Sequence, residues 1–112
     1  MPPDVTSIIV DIKHAIAGIE LFTVGKSLDD FKADLMFRRA VERQFEIIGE
    51  AMTRLRKADI TLFNHISDAR GIISFRNVLI HGYDSVRDEI TWRIVGEKLP
   101  ILRREIDGLL TT

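Results

Sequence analysis

The chain has no cysteine among its 112 residues. Disulfide bridges and thiolate catalysis are therefore excluded, and a reducing compartment is compatible with the sequence. An excess of one charge is also missing, because 16 basic and 17 acidic residues leave a formal net charge of −1. No global field would attract the protein to nucleic acid or to an acidic membrane. A site for a polyanion must be local, or assembled from more than one subunit.

Membrane and targeting signals are missing as well. No apolar run approaches the roughly 20 residues that span a bilayer, and residues 1–4 lack the basic and apolar parts of a secretory signal. No His-Glu-x-x-His motif or comparable cluster occurs, so we expect no built-in metal site. The sequence predicts a cytoplasmic protein without a cofactor or a membrane partner, in which residues 1–112 form a single domain.

Apolar residues recur at steps of three and four along most of the chain, which is the period of a helix and not of a strand. The first helix is predicted to end at Gly25, and Ser27 with Asp30 forms a capping-box pattern for the next helix. From there the longest periodic run continues to Lys57. Gly49 lies within this run and costs about 1 kcal/mol relative to alanine, so we expect a close backbone approach there.

A third helix is predicted from about Asp68 toward His81, followed by Gly82 with a positive φ. Residues 85–88 resemble another capping box and open a final helix, in which Pro100 is expected to produce a kink. No segment has the alternation of a strand. The pattern therefore predicts an all-α bundle of four main helices, without repeats or linkers.

The most informative stretch is Arg76-Asn77-Val78-Leu79-Ile80-His81-Gly82-Tyr83. An arginine can grip a phosphate with two donors, and a histidine can move a proton near neutral pH, so the combination suits phosphoryl transfer on RNA. On a regular helix Arg76 and His81 would lie about 140° apart. Either the helix ends near Ile80 so that His81 swings back, or a second copy supplies its own pair. We favour a combination, with His81 near a helix C-terminus and a dimer cleft that holds both pairs.

Other roles for these residues stay open. Arg76 could form a purely structural pair with one of three acidic residues, Asp84, Asp88 or Glu46. His81 could cap the carbonyls that end its helix, and the chain would then be a helical dimerisation protein. A further alternative is a non-catalytic module that binds a nucleotide or RNA in the same cleft.

The second helix carries two charged series. The acidic one is Glu42, Glu46 and Glu50, and the basic one is Arg38, Arg39, Arg43, Arg54, Arg56 and Lys57. A solvated helix face is the ordinary interpretation of both. A carboxylate beside Arg76 could orient that side chain, and basic residues can guide a phosphate backbone.

The motif with its tyrosine resembles the HEPN-domain proteins, specifically the HepT-type toxin that is the ribonuclease partner of a minimal nucleotidyltransferase antitoxin. The resemblance is carried by the Arg-x-x-x-x-His-x-Tyr pattern at Arg76, His81 and Tyr83, and by residues 40–51 upstream. Trp92 and the Leu-Pro pair at residues 99–100 follow in the same order, so the resemblance covers nearly the whole chain.

This resemblance implies a four- to five-helix up-down bundle, HEPN-like, that forms a homodimer with a composite active cleft. It implies a toxin of a toxin–antitoxin pair, a metal-independent endoribonuclease that cleaves RNA, with tRNA as the substrate class. His81 would act as general acid or base and Arg76 would bind the scissile phosphate. Asn77 and Tyr83 would position the substrate, and the cognate antitoxin would silence the enzyme by attaching AMP to Tyr83.

Overall fold

The computed structural model describes residues 1–82 and 87–111. These residues form helices and no strand, which confirms the predicted all-α class. The helices are α1 (Pro3–Thr23), α2 (Leu28–Ala33), α3 (Leu35–Ala58), α4 (Ile60–His65), α5 (Ala69–His81), α6 (Asp88–Glu97) and α7 (Leu99–Leu110). Within the two described ranges, no helix has the length and apolar character that crossing a membrane requires.

Helix α1 contributes seven buried apolar residues to the core, and these residues recur at helical spacing. They are Val5, Ile8, Ile9, Ile12, Ala15, Ile16 and Ile19. Helices α3 and α7 both pack along α1. Lys13 pairs with Asp107 and Glu20 pairs with Arg103, so α1 and α7 run antiparallel. Such exposed ion pairs are screened by water and contribute little to stability, so the apolar contacts hold the helices together.

The long periodic run that ends near Lys57 is two helices. The predicted capping box is present, because Ser27 and Asp30 each accept a hydrogen bond from the other's backbone N–H. The prediction of one continuous helix is wrong at Asp34, where α2 ends and α3 begins. The Asp34 carboxylate accepts a hydrogen bond from Phe37 N at 3.1 Å. This N-cap contact stabilises the start of a new helix.

The last predicted helix is divided as well. Helix α6 ends at Glu97 and α7 begins at Leu99, so Pro100 lies in a first helical turn and not in a kinked helix. Proline fits there because its missing N–H would have no partner within the helix. The capping box predicted at residues 85–88 lies largely outside the described residues.

The two glycines expected to follow helices behave differently. Gly25 follows α1 and has a φ of 71°, as a left-handed helix end requires. Gly82 has a φ of −86°, so the predicted positive φ is wrong. Its N–H donates to Val78 O at 2.7 Å, and this bond continues the right-handed geometry of α5 past His81.

Aromatic rings join α2 to α3 and α6. The ring centroid of Phe31 lies 5.2 Å from that of Phe37 and 5.2 Å from that of Trp92. At the surface beside them, Lys32 Nζ pairs with Glu89 Oε1. A six-residue helix is not stable by itself, so these contacts with α3 and α6 hold α2 in place.

Gly49 allows α5 to lie very close to α3. A Cβ at Gly49 would be 2.3 Å from Arg76 Cβ and 2.6 Å from its Cγ. The predicted close approach at this glycine is therefore confirmed. Four residues earlier on α3, Phe45 packs edge-on against Phe75 with 5.3 Å between ring centroids. These two contacts determine how α5 is turned about its axis.

The Lys32–Glu89 pair predicts a pH-dependent contribution to stability. The hydrogen bond from Lys32 lowers the pKa of Glu89 below its ordinary 4.5, and the same contact raises the pKa of Lys32 above 10.5. The Glu89 contribution is therefore present above pH 4.5 and is lost as the pH falls through the lowered pKa. The free-energy difference of unfolding between wild type and Glu89→Gln, measured in urea, should shrink in acid. The matched control is Glu97→Gln, since Glu97 is exposed and forms no ion pair within residues 1–82 and 87–111. A pH-independent Glu89→Gln difference would contradict the assignment.

Replacement of Gly49 tests the contact between α3 and α5. Alanine would gain about 1 kcal/mol of helix propensity, but overpacking typically costs about 1–3 kcal/mol. We expect Gly49→Ala to lower the free energy of unfolding by up to about 2 kcal/mol, the difference between these two effects. Gly108 is the control, because a Cβ there meets nothing within 4 Å. Gly108→Ala should be stabilising, and equal gains for both variants would show that α5 can move away from α3.

Candidate active site

Helix α5 carries the predicted motif and packs along α3. Its apolar side faces the core through Ala69, Ile72, Ile73, Phe75 and Leu79. The helix begins after Asp68 and ends at His81, so the predicted bounds of this helix are confirmed. The motif residues from Arg76 to His81 therefore lie on a rigid element whose rotation is fixed by packing.

Arg76 is positioned by Gly49. The first two carbons of the Arg76 side chain lie against the Gly49 backbone, where any larger residue would collide with them. The side chain is 29% exposed, so its stem is covered while part of the guanidinium remains accessible. Its Nε is buried and has no hydrogen-bond partner among the described residues.

The terminal nitrogens of Arg76 have two different partners. Nη1 donates to Asn77 Oδ1 at 3.0 Å, which orients the guanidinium from within α5. Nη2 lies 3.8 Å from Glu50 Oε1, a long contact. Glu50 Oε1 also lies 3.5 Å from Arg43 Nη1, so one carboxylate serves two arginines. An approaching phosphate could offer Arg76 shorter, charge-assisted hydrogen bonds than Glu50 does.

Within the described residues, Arg76 forms none of the structural ion pairs that the sequence suggested. Glu46 pairs with Arg43, and Asp88 lies 3.8 Å from Arg38 Nε. Asp84 lies outside the described residues. Glu50, the actual partner, could not be distinguished from its neighbours in the acidic series by spacing. The signal that could have identified it is the adjacent Gly49, because a close approach there brings Arg76 beside it.

His81 is the last residue of α5 and is exposed. The helix ends one residue after Ile80, so the expected position of His81 near a helix C-terminus is confirmed, but His81 is still helical and does not swing back toward Arg76. The α-helical path through residue 81 keeps Arg76 and His81 about 140° apart. Asn77 is four residues before His81 and therefore shares its face. One chain thus brings Asn77 beside Arg76 and on the face of His81, but it does not bring Arg76 and His81 face to face.

The remaining predicted site residue, Tyr83, lies outside the described residues. The other two histidines, His14 and His65, are exposed, and His65 Nδ1 lies 2.7 Å from Thr61 O. Across residues 1–82 and 87–111, no group of three or more His, Asp or Glu side chains is arranged to hold a metal ion. The groups available here are thus a partly exposed guanidinium, an amide and an exposed imidazole, which can bind a phosphate and transfer protons.

Comparison with known proteins gives consistent matches. Residues 12–109 match the family described as Ribonuclease HepT-like. A Methanocaldococcus jannaschii protein with a provisional name as an RNase is 33% identical over 107 residues, which cover 96% of this chain and 88% of that protein. The probable ribonuclease HepT of Thermococcus cleftensis is 34% identical over 99 residues, which cover 88% and 89% of the two chains. No solved structure gives a significant match.

A second M. jannaschii protein is longer than this chain. It is named as a gamma-glutamylcyclotransferase and, provisionally, an RNase, and its sequence is 35% identical to this chain over 106 residues. The match covers 95% of this chain but 47% of that protein. The family match spans the α5 motif, α3 and most of the remaining helices. The chain therefore belongs to the HepT-like ribonuclease family, and its activity class is that of an endoribonuclease.

Proposed function

We propose that this protein is the toxin of a toxin–antitoxin pair, a metal-independent endoribonuclease that cleaves tRNA in a cleft shared by two copies. The observation that carries the proposal is the position of Arg76, which is held over Gly49 and hydrogen-bonded to Asn77 on a helix that ends at an exposed His81. Since Arg76 and His81 face different directions in one chain, a second copy is the simplest source of the missing partner.

RNA contains its own nucleophile, the 2′-hydroxyl, so the protein needs only to position it and to transfer protons. In the proposed reaction a histidine removes the 2′-hydroxyl proton, and the oxygen attacks phosphorus. The bond from phosphorus to the 5′-oxygen breaks, and that oxygen receives a proton from an imidazolium, which balances the proton that the histidine removed. The products are a 2′,3′-cyclic phosphate and a 5′-hydroxyl. Arg76 stabilises the charge that develops on the phosphoryl oxygens, and Asn77 keeps the guanidinium in place.

Regulation is proposed to act at Tyr83. A cognate minimal nucleotidyltransferase would attach AMP to the phenol oxygen, two residues after His81 in the sequence. The added adenylate brings bulk and negative charge to a position where the RNA phosphate must bind. Like-charge repulsion and steric exclusion would both inhibit cleavage.

Removal of either motif residue tests the activity. Arg76→Ala and His81→Ala should each lower the rate of tRNA cleavage by at least about 100-fold, because positioned acids and transition-state donors contribute that much. Both variants should keep the helical circular-dichroism spectrum of the wild type. The assay contains EDTA and includes a substrate with a 2′-deoxy residue at the cut, which should stay intact. Intact RNA with unmodified wild type would contradict the proposal, and tight RNA binding without turnover would favour the non-catalytic alternative.

Substitution of the tyrosine tests the regulation separately. Tyr83→Phe keeps the ring but removes the oxygen that would accept AMP. Cells that produce this variant together with the nucleotidyltransferase should stop growing, whereas cells with the wild-type pair should grow. Mass spectrometry should detect an added AMP on the wild-type protein but not on the variant. Produced alone, Tyr83→Phe should still stop growth, and equal protection of both forms by the nucleotidyltransferase would then exclude Tyr83 as the site of silencing.

A further inference from the structure

Two arginines from different helices meet at one aromatic ring near the N-terminal end of α5. Arg56, in the last turn of α3, has its Cζ 5.8 Å from the ring centroid of Phe63, and Arg70, in the first turn of α5, has its Cζ 5.3 Å from the same centroid. Both distances are within the range of about 6 Å for cation–π contacts. Phe63 is fully buried, so it provides a fixed base for both groups. Arg56 and Arg70 are called the arginine pair below.

Within residues 1–82 and 87–111, the N–H donors of the arginine pair are unused, because neither guanidinium makes a hydrogen bond or an ion pair there. Both side chains are exposed. A guanidinium that lies over a ring uses its face, and its five N–H donors at the edge stay available. Lys57, next to Arg56, is exposed and has no acidic partner in the same ranges.

The two acidic residues nearest in sequence form no ion pair with Arg56 or Arg70 within residues 1–82 and 87–111. Asp59 Oδ1 accepts a hydrogen bond from Leu62 N at 3.0 Å and caps α4. The Asp68 side chain makes no capping hydrogen bond and lies over Gly71, where a Cβ would be 2.3 Å from Oδ1. The two guanidinium groups on Phe63 thus lack a direct carboxylate partner in these ranges, and a bound anion would supply one.

Arg70, the member of the arginine pair on α5, lies on the same face of that helix as His81. Arg70, Ser74, Asn77 and His81 are all exposed and follow one another at steps of four, three and four residues. On a helix these steps keep the four side chains within about 60° of one another. The distance from Arg70 to His81 along the helix axis is about 16 Å. A polar stripe of donors thus connects the arginine pair to the motif histidine.

We propose that the arginine pair is a second phosphate-binding subsite for single-stranded RNA. It holds the backbone at the N-terminal end of α5 while the link to be cut lies at the other end, beside His81 of the same chain and Arg76 of the second copy. The identity of the ligand as RNA rests on the proposed function. The polar stripe favours a linear polyanion over an isolated anion, because a chain can contact both ends of α5 at once. Flat guanidinium groups fixed on a ring suit phosphate oxygens better than a freely moving ammonium would.

The test compares the full-length wild type with Arg56→Gln/Arg70→Gln. RNA binding is measured by fluorescence anisotropy in a His81→Ala background, with a labelled single-stranded RNA of roughly a dozen nucleotides at several salt concentrations. Loss of two phosphate contacts should weaken binding about tenfold and make the log–log salt slope less steep by about 1.4. Cleavage is measured in chains that keep His81, with this RNA and with a dinucleoside phosphate as substrates. The double glutamine substitution should lower the ratio of kcat/KM for the long substrate to kcat/KM for the short one about tenfold, because the short substrate cannot reach the arginine pair.

Two controls separate charge from structure. Arg104→Gln removes an exposed arginine of α7, a helix that packs on α1 and α6, and it should leave the salt slope and the length preference at wild-type values. Arg56→Lys/Arg70→Lys keeps both charges and should keep the steep salt slope. An unchanged slope and length preference in the double glutamine variant would overturn the subsite while leaving the ribonuclease proposal intact. If wild type cut no RNA but the double glutamine variant still bound RNA less tightly, the proposed function would fail and the subsite would stand.

Discussion

The contact between Gly49 and Arg76 is the constraint on which the arrangement of the motif depends. Because Gly49 has no side chain, the backbones of α3 and α5 approach closely enough for the Arg76 stem to lie directly on α3. The neighbouring pair Phe45–Phe75 closes the same interface and prevents α5 from rotating. The guanidinium is then delivered to a fixed place, where Asn77 orients one end and Glu50 approaches the other. If α5 could rotate or slide along α3, the contacts that it makes with α3 would be lost at the same time.

The same rigidity separates the two groups that the proposed chemistry combines. Helix α5 continues through His81, so the imidazole leaves the helix on a different side from Arg76. In the proposed dimer, a two-fold axis near α5 would place the arginine of one copy beside the histidine of the other without distortion. The near-zero net charge fits this proposal. Attraction for RNA would then come from local groups, namely the partly exposed Arg76 and the arginine pair on Phe63.

The sequence predicts the helices well because their period and their glycines reflect short-range physics. The positive φ of Gly25 after α1, the capping box at Ser27 and the close approach at Gly49 all follow from backbone preferences of single residues. The break at Asp34 is missed because the apolar period continues across it, and only the geometry shows that its carboxylate caps a new helix. The pairing of Arg76 with Glu50 and the meeting of two arginines at Phe63 are missed because they depend on how separate helices are packed.

Mixed dimers provide the most direct test of a site shared by two chains. Dimers are assembled from one chain with Arg76→Ala and one chain with His81→Ala, purified with two different affinity tags, and assayed for RNA cleavage. The account predicts that these dimers recover roughly half of the wild-type activity, since one arginine–histidine pair across the two-fold interface remains intact. Dimers of wild type with a chain that carries both substitutions should be inactive, because each pair across the interface then lacks one member. The reverse pattern, with activity in the second kind of dimer and none in the first, would show that each chain uses its own Arg76 and His81 and would contradict the account.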